Sequence, residues 1–308
     1  HTRYISVTGV QTCALPIFAL GLAESGGLPA TGKTYALYLP PSEVAVGTAA
    51  TQLGISLGGI LAPLVFAALA PIYGWRSTFL VCGVVGLVWV PSWLATLNAV
   101  PAGPAAEKKP EPIGGLLKDS RFYGIVVTNM FIMTLYSVWT NWTTLYFVQV
   151  HHMTAIEANR KFAWLPPVFA TLGGAVGAWL VMFWIRRGVA IRLARVRVAW
   201  CAAIVLLTTA LIPFAPSAEW AAAGISLSYF ASVALSTTVY SSPIDLFGPG
   251  RAGFCVAALT LGYGLMQTFL SPYVGKTIDR VGFSPVFTAL SFVPLLGAGI
   301  FHWTRRRT

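Results

Sequence analysis

The sequence predicts an all-α membrane protein, and three observations carry that prediction. Of the 308 residues, 56% are hydrophobic and only 9% are charged, which is far too apolar for a soluble domain of this size. Apolar runs of about 20 residues, enough to cross a bilayer core of about 30 Å, recur along almost the whole chain. These runs are continuously apolar with Gly and Pro interruptions, whereas a transmembrane barrel needs short segments of alternating polarity. The spans are therefore predicted to be helices.

The apolar runs predict nine membrane-spanning helices. We place them at about 18–39, 44–70, 76–98, 122–148, 163–185, 196–214, 219–241, 253–274 and 283–303. Between the third and fourth, residues 101–115 read PAGPAAEKKPEPIGG, and this composition favours an extended or disordered connection. We therefore divide the chain into helical residues 18–98, a linker over 99–121 and six helices in residues 122–308.

Lys and Arg are unequally shared between the two sides of the predicted membrane. If the linker is cytoplasmic, its side collects Lys33, Lys108, Lys109, Lys118, Arg121, Arg186, Arg187, Arg192, Arg195, Arg197, Arg251, Arg305, Arg306 and Arg307. The other side collects Arg76, Arg160, Lys161, Lys276 and Arg280. Because basic loops remain cytoplasmic, the C-terminus is predicted to be inside. The net charge of +11 then follows from membrane orientation, and we predict no nucleic-acid partner.

The reactive side chains form no cluster in the sequence. Cys82, Cys201 and Cys255 lie far apart in predicted spans, without disulfide or metal-binding spacing. His151 and His152 stand in a predicted loop with no other ligand-type residues nearby, so we interpret them as solvated. A membrane enzyme would need carboxylates, histidines or a nucleophile gathered in one plane. We therefore predict neither an enzyme nor a metal or cofactor.

Two segments of the chain echo each other. Residues 54–76 and 262–284 share glycines, an X-Pro pair and a final X-Gly. The first segment reads GISLGGILAPLVFAALAPIYGWR and the second reads GYGLMQTFLSPYVGKTIDRVGFS. Two parallel six-helix halves are a known transporter construction. In that register the first half would have three helices fewer than the second.

A stretch early in the chain carries a more specific pattern. Residues 21–45 read GLAESGGLPATGKTYALYLPPSEVA, and the pattern consists of Gly21, Glu24, Pro29, Lys33, Tyr38, Pro40 and Glu43. It continues through Gln52, Gly54, Gly58, Ala62 and Pro63 and through YGWRSTF at 73–79, and more loosely through WTTLYF at 142–147, PPVFATLGGAVGAWL at 166–180 and SPYVGKTIDRVG at 271–282. On these residues the chain resembles the anion:cation symporters of the major facilitator superfamily, the group that includes hexuronate, galactonate, glucarate and phthalate transporters.

The resemblance implies an incomplete major facilitator fold, equivalent to helices 4–12 of two six-helix halves. It implies a secondary active transporter of a small organic anion, either a sugar acid or an aromatic carboxylate. Proton symport by alternating access, as a monomer in a bacterial-type inner membrane, is the expected mechanism and setting. The pattern departs from the family at Tyr38, Val44, Thr144 and Met182, where the family has Trp, Arg, Pro and Asp. A transporter-like sensor or receptor, or a facilitator or exporter of another small solute, remains the alternative.

Glu24 is the only carboxylate deep inside a predicted span. An ionisable residue within the membrane is a functional hypothesis by default, and the resemblance implies that Glu24 couples transport to protons. The alternative is a carboxylate that only hydrogen-bonds a neighbouring helix. We place four charged residues at the gating region or cytoplasmic mouth: Lys33, which could instead be a snorkelling anchor, Glu43, Asp245 and Arg251.

Polar residues on the predicted helices are candidates for a substrate cavity. Gln52 and Ser56 lie at i and i+4 and share one helix face. Tyr136, Trp139, Thr140 and Thr143 follow i, i+3, i+4, i+7 spacing and form one polar and aromatic stripe. The same side chains could serve interhelical hydrogen bonds instead, and we assign Tyr146 to the interfacial aromatic belt. The full candidate set is Gln52, Ser56, Tyr136, Trp139, Thr140, Asn141, Tyr240 and Gln267.

Residues 1–17 fit none of these segments. Residues 7–17, VTGVQTCALPI, lack the long apolar run and small-residue cleavage site of a secretory signal. They resemble instead the in-frame translation of an indexed short-read sequencing adapter. We therefore expect 1–17 to be an artefact, the first three helices to be absent and the 308-residue chain to be inactive in transport. The codons for residues 7–17 in the nucleotide sequence would test this expectation.

Overall fold

A computed structural model describes residues 18–27, 31, 34, 44–99 and 114–306. Every regular element in these ranges is helical, which confirms the predicted all-α class. Residues 18–25 are helical. The later α-helices are α1 (Val44–Tyr73), α2 (Trp75–Ala99), α3 (Ser120–Ile132), α4 (Thr134–Val150), α5 (Ala155–Phe162), α6 (Leu165–Arg186), α7 (Ile191–Leu206), α8 (Ala218–Tyr240), α9 (Ser242–Phe247), α10 (Pro249–Val281), α11 (Phe283–Ser291) and α12 (Val293–Arg306).

Eight stretches of the described chain are long and apolar enough to cross a membrane. They are Gly54–Tyr73, Trp75–Thr96, Ser120–Val150, Ala155–Arg186, Ile191–Phe214, Ala218–Phe247, Gly250–Val281 and Phe283–Arg305. Each corresponds to one of the last eight predicted spans. The first predicted span, 18–39, lies mostly outside the described residues, as does most of the 99–121 linker.

By packing, the chain divides into two compact units. The first is His1–Ala50 with Val100–Lys109, and the second is Thr51–Ala99 with Pro110–Thr308. In the first unit, residues 18–25 form a helix whose side chains are exposed. The second unit contains the eight candidate spans and the hydrophobic core that positions the cavity described below.

Prolines explain several breaks inside the spans. Proline lacks a backbone N–H and its ring clashes with the preceding helical turn. Accordingly, α8 ends at Tyr240, shortly before Pro243, and Pro294 follows the break between α11 and α12. Pro213 lies in the 3-10 segment Leu207–Phe214 that continues α7.

The internal echo has a local structural counterpart. Gly74 separates α1 from α2, and Gly282 separates α10 from α11. Both glycines have φ of +79°, a conformation that side-chain-bearing residues rarely adopt. Both helix-to-helix turns therefore contain a glycine with positive φ, at equivalent points of the two related segments.

Helices α6 and α8 pack closely against each other at two glycines of α6. A Cβ atom added to Gly173 would overlap the carbonyl oxygen of Phe230, and one added to Gly177 would lie 2.8 Å from the Cα of Ala234. Small residues allow helix backbones to approach this closely in membranes. These two glycines therefore fix the position of α6, which carries one wall of the cavity.

Two sequence interpretations of aromatic and histidine positions are wrong. Tyr146, assigned to the interfacial belt, is fully buried, and its hydroxyl donates to the carbonyl of Ile212 at 2.9 Å. His151, expected to be solvated, is half-buried with its ring 5.5 Å from the ring of Tyr146. Burial lowers the pKa of His151, and the nearby Glu219 carboxylate partly opposes that shift. The hydrogen bond to the 3-10 segment holds Tyr146 inside the protein, and His151 packs against the rings of Tyr146 and Phe147, whereas His152 is exposed.

Candidate functional site: a hydroxyl-lined cavity

A cavity of about 320 Å³ opens within the second unit. Five helices contribute to its wall, namely α1, α4, α5, α6 and α8. The lining residues are Ile55, Ser56, Gly59, Tyr136, Trp139, Thr140, Thr143, Thr144, Phe147, Ala158, Asn159, Phe162, Ala163, Pro166, Pro167, Ala170, Thr171 and Tyr229. The volume is in the lower part of the range for small-molecule sites.

Most of the polar side chains that line this cavity carry hydroxyl groups. Thr140 donates to the carbonyl of Tyr136 at 2.8 Å, and its Oγ1 lies 3.1 Å from the hydroxyl of Tyr229. Thr144 donates to Oδ1 of Asn159 at 2.9 Å. Each of these groups keeps further hydrogen-bonding capacity, because a hydroxyl can donate once and accept twice.

One hydrogen bond crosses the cavity between α1 and α6. The hydroxyls of Ser56 and Thr171 are hydrogen-bonded to each other, and Thr171 also donates to the carbonyl of Pro167 at 2.9 Å. Nearby, a Cβ on Gly59 would lie 3.3 Å from the ring of Pro167. The side chain of Ser56 therefore meets α6 where small residues bring the two helices together.

Aromatic rings form the other wall. The rings of Tyr136 and Tyr229 lie 5.2 Å apart in an edge-to-face arrangement, and Tyr263 packs against Tyr136 from outside the cavity at 6.5 Å. Trp139 is fully buried, and its Nε1 donates to Ser228 at 3.1 Å. Because that N–H is already used, Trp139 presents carbon surface to the cavity, whereas Tyr136 and Tyr229 bring hydroxyls.

Charged side chains do not contribute to the described lining. Ser, Thr, Asn and Tyr groups provide uncharged donors and acceptors, and the aromatic rings provide flat apolar surface. Within the residues that the structure describes, no group of three or more His, Cys, Asp or Glu side chains could hold a metal ion. The arrangement suits a hydroxyl-bearing organic solute, because hydroxyl groups and ring faces both bind such molecules.

The structure brings together only part of the sequence-predicted cavity set. Ser56, Tyr136, Trp139 and Thr140 line the cavity. Asn141 instead donates to the carbonyl of Ser137 at 2.8 Å on its own helix. The side chain of Gln52 lies outside the described residues.

The two candidates from the later helices lie elsewhere. The hydroxyl of Tyr240 accepts a hydrogen bond of 3.3 Å from the amide of Asn129, which also donates to the carbonyl of Leu259 at 2.9 Å. Gln267 is half-buried on α10 away from the described lining. Tyr240 therefore belongs to the contacts among α3, α8 and α10, and neither residue contributes to the described cavity.

Several lining residues were missed by sequence reasoning. Asn159 and Phe162 lie on α5, a helix that the sequence analysis placed in a loop. A signal for α5 was available, because Thr154 and Glu157 form the Ser/Thr-x-x-Glu pattern of a helix start. Thr154 indeed accepts a hydrogen bond from the backbone N–H of Glu157 at 3.2 Å. A signal for Tyr229 was also available, because Ser226, Tyr229, Ser232 and Ser236 recur at helical spacing in its span.

The charged candidates have separate positions. Glu24 lies in the helical residues 18–25 with an exposed side chain, and its role in proton coupling stays a prediction. Lys33 and Glu43 lie outside the described residues. Arg251 is half-buried in the first turn of α10.

Asp245 belongs to a compact ionic cluster. Its Oδ2 lies 2.6 Å from Nε of Arg195 and 3.1 Å from Nη2 of Arg305. Arg195 also donates to Ser241 and, at 3.3 Å, to the carbonyl of Thr238. The cluster therefore fastens the start of α7 and the end of α12 to α9. Sequence reasoning had counted the two arginines only as basic residues of the cytoplasmic side.

These features define the class of the protein. Eight apolar stretches of spanning length in the described chain, four of which line an uncharged cavity of solute size, are those of a multi-pass helical membrane protein. The sequence profile of the Major Facilitator Superfamily matches residues 4–270, and the chain belongs to this superfamily. The predicted superfamily is thereby confirmed. The profile match begins at residue 4, inside the segment 1–17. It does not test the adapter interpretation of that segment, which stays a prediction.

Comparison with known proteins is consistent with this assignment. The chain is 24% identical over 306 residues to a hexuronate transporter of Escherichia coli strain K12, covering 93% of this chain and 70% of that protein. It is 26% identical over 185 residues to a galacturonate transporter of Dickeya chrysanthemi, covering 53% of each. Among solved structures, a bacterial homologue of the human lysosomal transporter Spinster, inward-facing and occupied, gives a TM-score of 0.64 at 18% identity. That alignment covers 89% of this chain and 72% of the other.

Proposed function

We propose that the protein is a secondary active transporter that takes up a small organic anion, preferentially a sugar acid, together with protons by alternating access. One observation carries the proposal. The chain is similar over 93% of its length to a hexuronate transporter, and a second similar protein is a galacturonate transporter. The proposed setting is a bacterial-type inner membrane with the C-terminus in the cytoplasm.

The lining of the cavity supports a sugar acid over an aromatic carboxylate. A sugar acid carries several hydroxyls, and Ser56, Thr140 and Tyr229 offer matching hydroxyl partners. The ring of Tyr136 supplies a flat apolar surface against which a sugar face packs. In the proposed mode these residues bind the uncharged part of the substrate, since the described lining contains no basic group for its carboxylate.

Movement of the substrate requires the cavity to open on alternate sides. In the proposed cycle the hydrogen bond between Ser56 and Thr171 breaks and reforms as α1 and α6 separate and close. The ionic cluster at Asp245 keeps the ends of α7, α9 and α12 together as one rigid part during that movement. Glu24 is the proposed proton site, because a carboxylate in a predicted span can bind a proton in one conformation and release it in the other.

Uptake by proteoliposomes containing the protein tests the function. We expect accumulation of labelled galacturonate when the outside is acidified, and little accumulation of phthalate. Binding of sugar acids without transport would favour a sensor, and uptake that stops at equal concentrations whatever the proton gradient would favour a facilitator. Either result would overturn proton symport.

The proton site has its own test. Glu24→Gln is expected to abolish the dependence of uptake on the pH gradient while exchange of internal for external substrate continues. Glu219→Gln is the matched control, because Glu219 is an exposed carboxylate in the first turn of α8. Uptake that remains driven by a pH gradient in Glu24→Gln contradicts the assignment of Glu24 without contradicting transport itself.

A further inference from the structure

One side chain of the hydroxyl-lined cavity offers a different chemistry from its neighbours. Asn159 carries the only side-chain amide in the described lining, where the serine, threonine and tyrosine side chains end in hydroxyls. It lies on α5 with Ala158 and Phe162, which also line the cavity, so one face of this short helix forms part of the wall. An amide keeps its acceptor oxygen and its two N–H donors at separate ends, whereas a hydroxyl combines both roles in one atom.

Helix α4 holds this amide in one orientation. The hydroxyl of Thr144 donates to Oδ1 of Asn159 at 2.9 Å. The other threonines of α4, namely Thr134, Thr140 and Thr143, each donate to the backbone carbonyl four residues earlier. Thr144 donates across to α5 instead. Because Oδ1 faces α4, the NH2 end of the same planar group is directed away from Thr144.

The NH2 group of Asn159 remains available to a ligand. Its Nδ2 makes no hydrogen bond with any residue that the structure describes, yet it is not one of the fully buried polar atoms that lack a partner. The side chain is half-buried, so Nδ2 keeps accessible surface at the cavity wall. Asn141 differs, because its amide donates to the carbonyl of Ser137 outside the described lining. Asn159 therefore presents unused N–H donors in a fixed direction.

We propose that Asn159 determines which sugar acid the cavity prefers, by donating an N–H to one hydroxyl oxygen of the substrate, and that Thr144 is the residue that orients the amide. This inference rests on the proposed function. A donor held in one direction needs an acceptor at one place, so an epimer that moves this hydroxyl leaves the N–H unpaired. A hydroxyl such as that of Thr140 discriminates less, since its hydrogen turns about the C–O bond to suit either epimer.

Binding of three hexuronates to the purified protein in detergent tests the proposal without requiring transport. Galacturonate and mannuronate each differ from glucuronate in the orientation of one hydroxyl. By isothermal titration calorimetry we expect the wild-type chain to bind one of the three about three- to ten-fold more tightly than its epimer, the effect of one hydrogen bond. Asn159→Leu should weaken that hexuronate selectively and reduce the preference to less than about two-fold. Asn141→Leu is the matched control and should keep the preference, because Asn141 lies outside the described lining.

The orienting role of Thr144 has a separate test. Thr144→Val removes the hydroxyl that holds the amide, so we expect it to lower the preference among the hexuronates while all of them still bind. Thr144→Ser keeps a hydroxyl at the same place and should retain the preference. If Asn159→Leu does not fold, this pair of variants still decides the proposal, and an unchanged preference in Thr144→Val would contradict it.

The outcomes separate this assignment from the proposed function. Equal weakening of all three hexuronates in Asn159→Leu would show a general structural role, and an unchanged preference would place the selected hydroxyl elsewhere. Either result overturns the assignment of Asn159 and leaves sugar-acid binding intact. A wild-type chain that binds all three equally also overturns it. If none of the hexuronates binds the wild-type chain, the proposed substrate class fails, and this assignment fails with it.

Discussion

Nε of Arg195 lies 2.6 Å from Oδ2 of Asp245, and this ion pair is the centre of the charge cluster that joins α7, α9 and α12. The side chains of Arg195 and Asp245 are only 10% and 16% exposed. Removing one partner of such a buried ion pair strongly destabilises the folded protein, because the other charge is left poorly solvated. Asp245 is therefore expected to contribute more to stability than an exposed carboxylate.

Asp245→Asn tests this expectation. The substitution leaves Arg195 and Arg305 facing each other without the carboxylate, and we expect unfolding to become easier by about 3 kcal/mol. Thermal unfolding in detergent, followed by tryptophan fluorescence, measures the loss. Asp279→Asn is the control, since Asp279 is an exposed carboxylate near the end of α10. Equal stability of the two variants would show that the ion pair contributes little.

The positions of the spans could be predicted from the sequence, because they depend on the length of the apolar runs. The last eight predicted spans correspond to the eight candidate spans of the described chain. Breaks within them were not predicted, since a break such as the one at Phe292 depends on how Pro294 and the surrounding helices pack. Hydrophobic runs record burial in lipid or protein but contain little information on local interruptions.

The cavity was predictable only where polar residues followed helical spacing. Tyr136, Trp139 and Thr140 repeat at one helix face and line the cavity. Asn141 is adjacent in sequence but turns to its own backbone, and Tyr229 comes from a different helix 89 positions beyond Thr140. Contacts between distant segments depend on packing, which spacing along one helix does not specify.

A second prediction concerns the close contact between α6 and α8. Gly173→Ala would place a methyl group against the backbone oxygen of Phe230, and backbone cannot rotate away as a side chain can. We expect destabilisation of about 1–3 kcal/mol, the usual effect of overpacking. Gly264→Ala is the control, because a Cβ there meets nothing within 4 Å and alanine favours a helix. Thermal unfolding of both variants gives the comparison, and similar unfolding temperatures would contradict the close packing.

The buried hydroxyl of Tyr146 gives a third prediction. It donates to the carbonyl of Ile212, which also accepts from the backbone N–H of Ala215. Tyr146→Phe leaves that carbonyl with one partner, so we expect a modest loss of about 1 kcal/mol. Tyr273→Phe, at a position 70% exposed on α10, should have no measurable effect. Chemical unfolding of the two variants measures the difference. An unchanged Tyr146→Phe protein would show that the 3-10 segment does not depend on this hydrogen bond.

A fourth prediction concerns pH. Hydrogen bonds from Arg121 hold the pKa of Asp119 below its ordinary value, and burial only partly opposes them. Because the pKa is lower in the folded state, the stabilisation is fully present above the unfolded pKa of about 3.9 and is lost as pH falls through the folded value. Asp119 also caps α3 by accepting from the N–H of Arg121 at 2.8 Å.

Asp119→Asn isolates that dependence, since asparagine can still cap the helix but does not titrate. We expect the wild-type chain to be the more stable above about pH 5 and this advantage to shrink below about pH 4. Unfolding measured at several pH values in that range gives the difference between the two proteins. A difference that stays constant down to about pH 3 would show that the Asp119 carboxylate does not stabilise the fold through its charge.

The last prediction tests the hydroxyl-lined cavity directly. Thr140 places its hydroxyl between the carbonyl of Tyr136 and the hydroxyl of Tyr229, at 2.8 and 3.1 Å. Thr140→Val keeps the shape of the side chain and removes that hydroxyl from the lining. If the cavity binds the hydroxyls of a sugar acid, we expect KM for uptake to rise about three- to ten-fold, the effect of one lost hydrogen bond.

Thr268→Val is the control, because Thr268 is exposed on α10 and bonds only the backbone of Gly264 among the described residues. A rise in KM of the same size in both variants would point to a general effect of losing a helix hydroxyl. An unchanged KM in Thr140→Val, with uptake intact, would place the substrate away from this wall of the cavity.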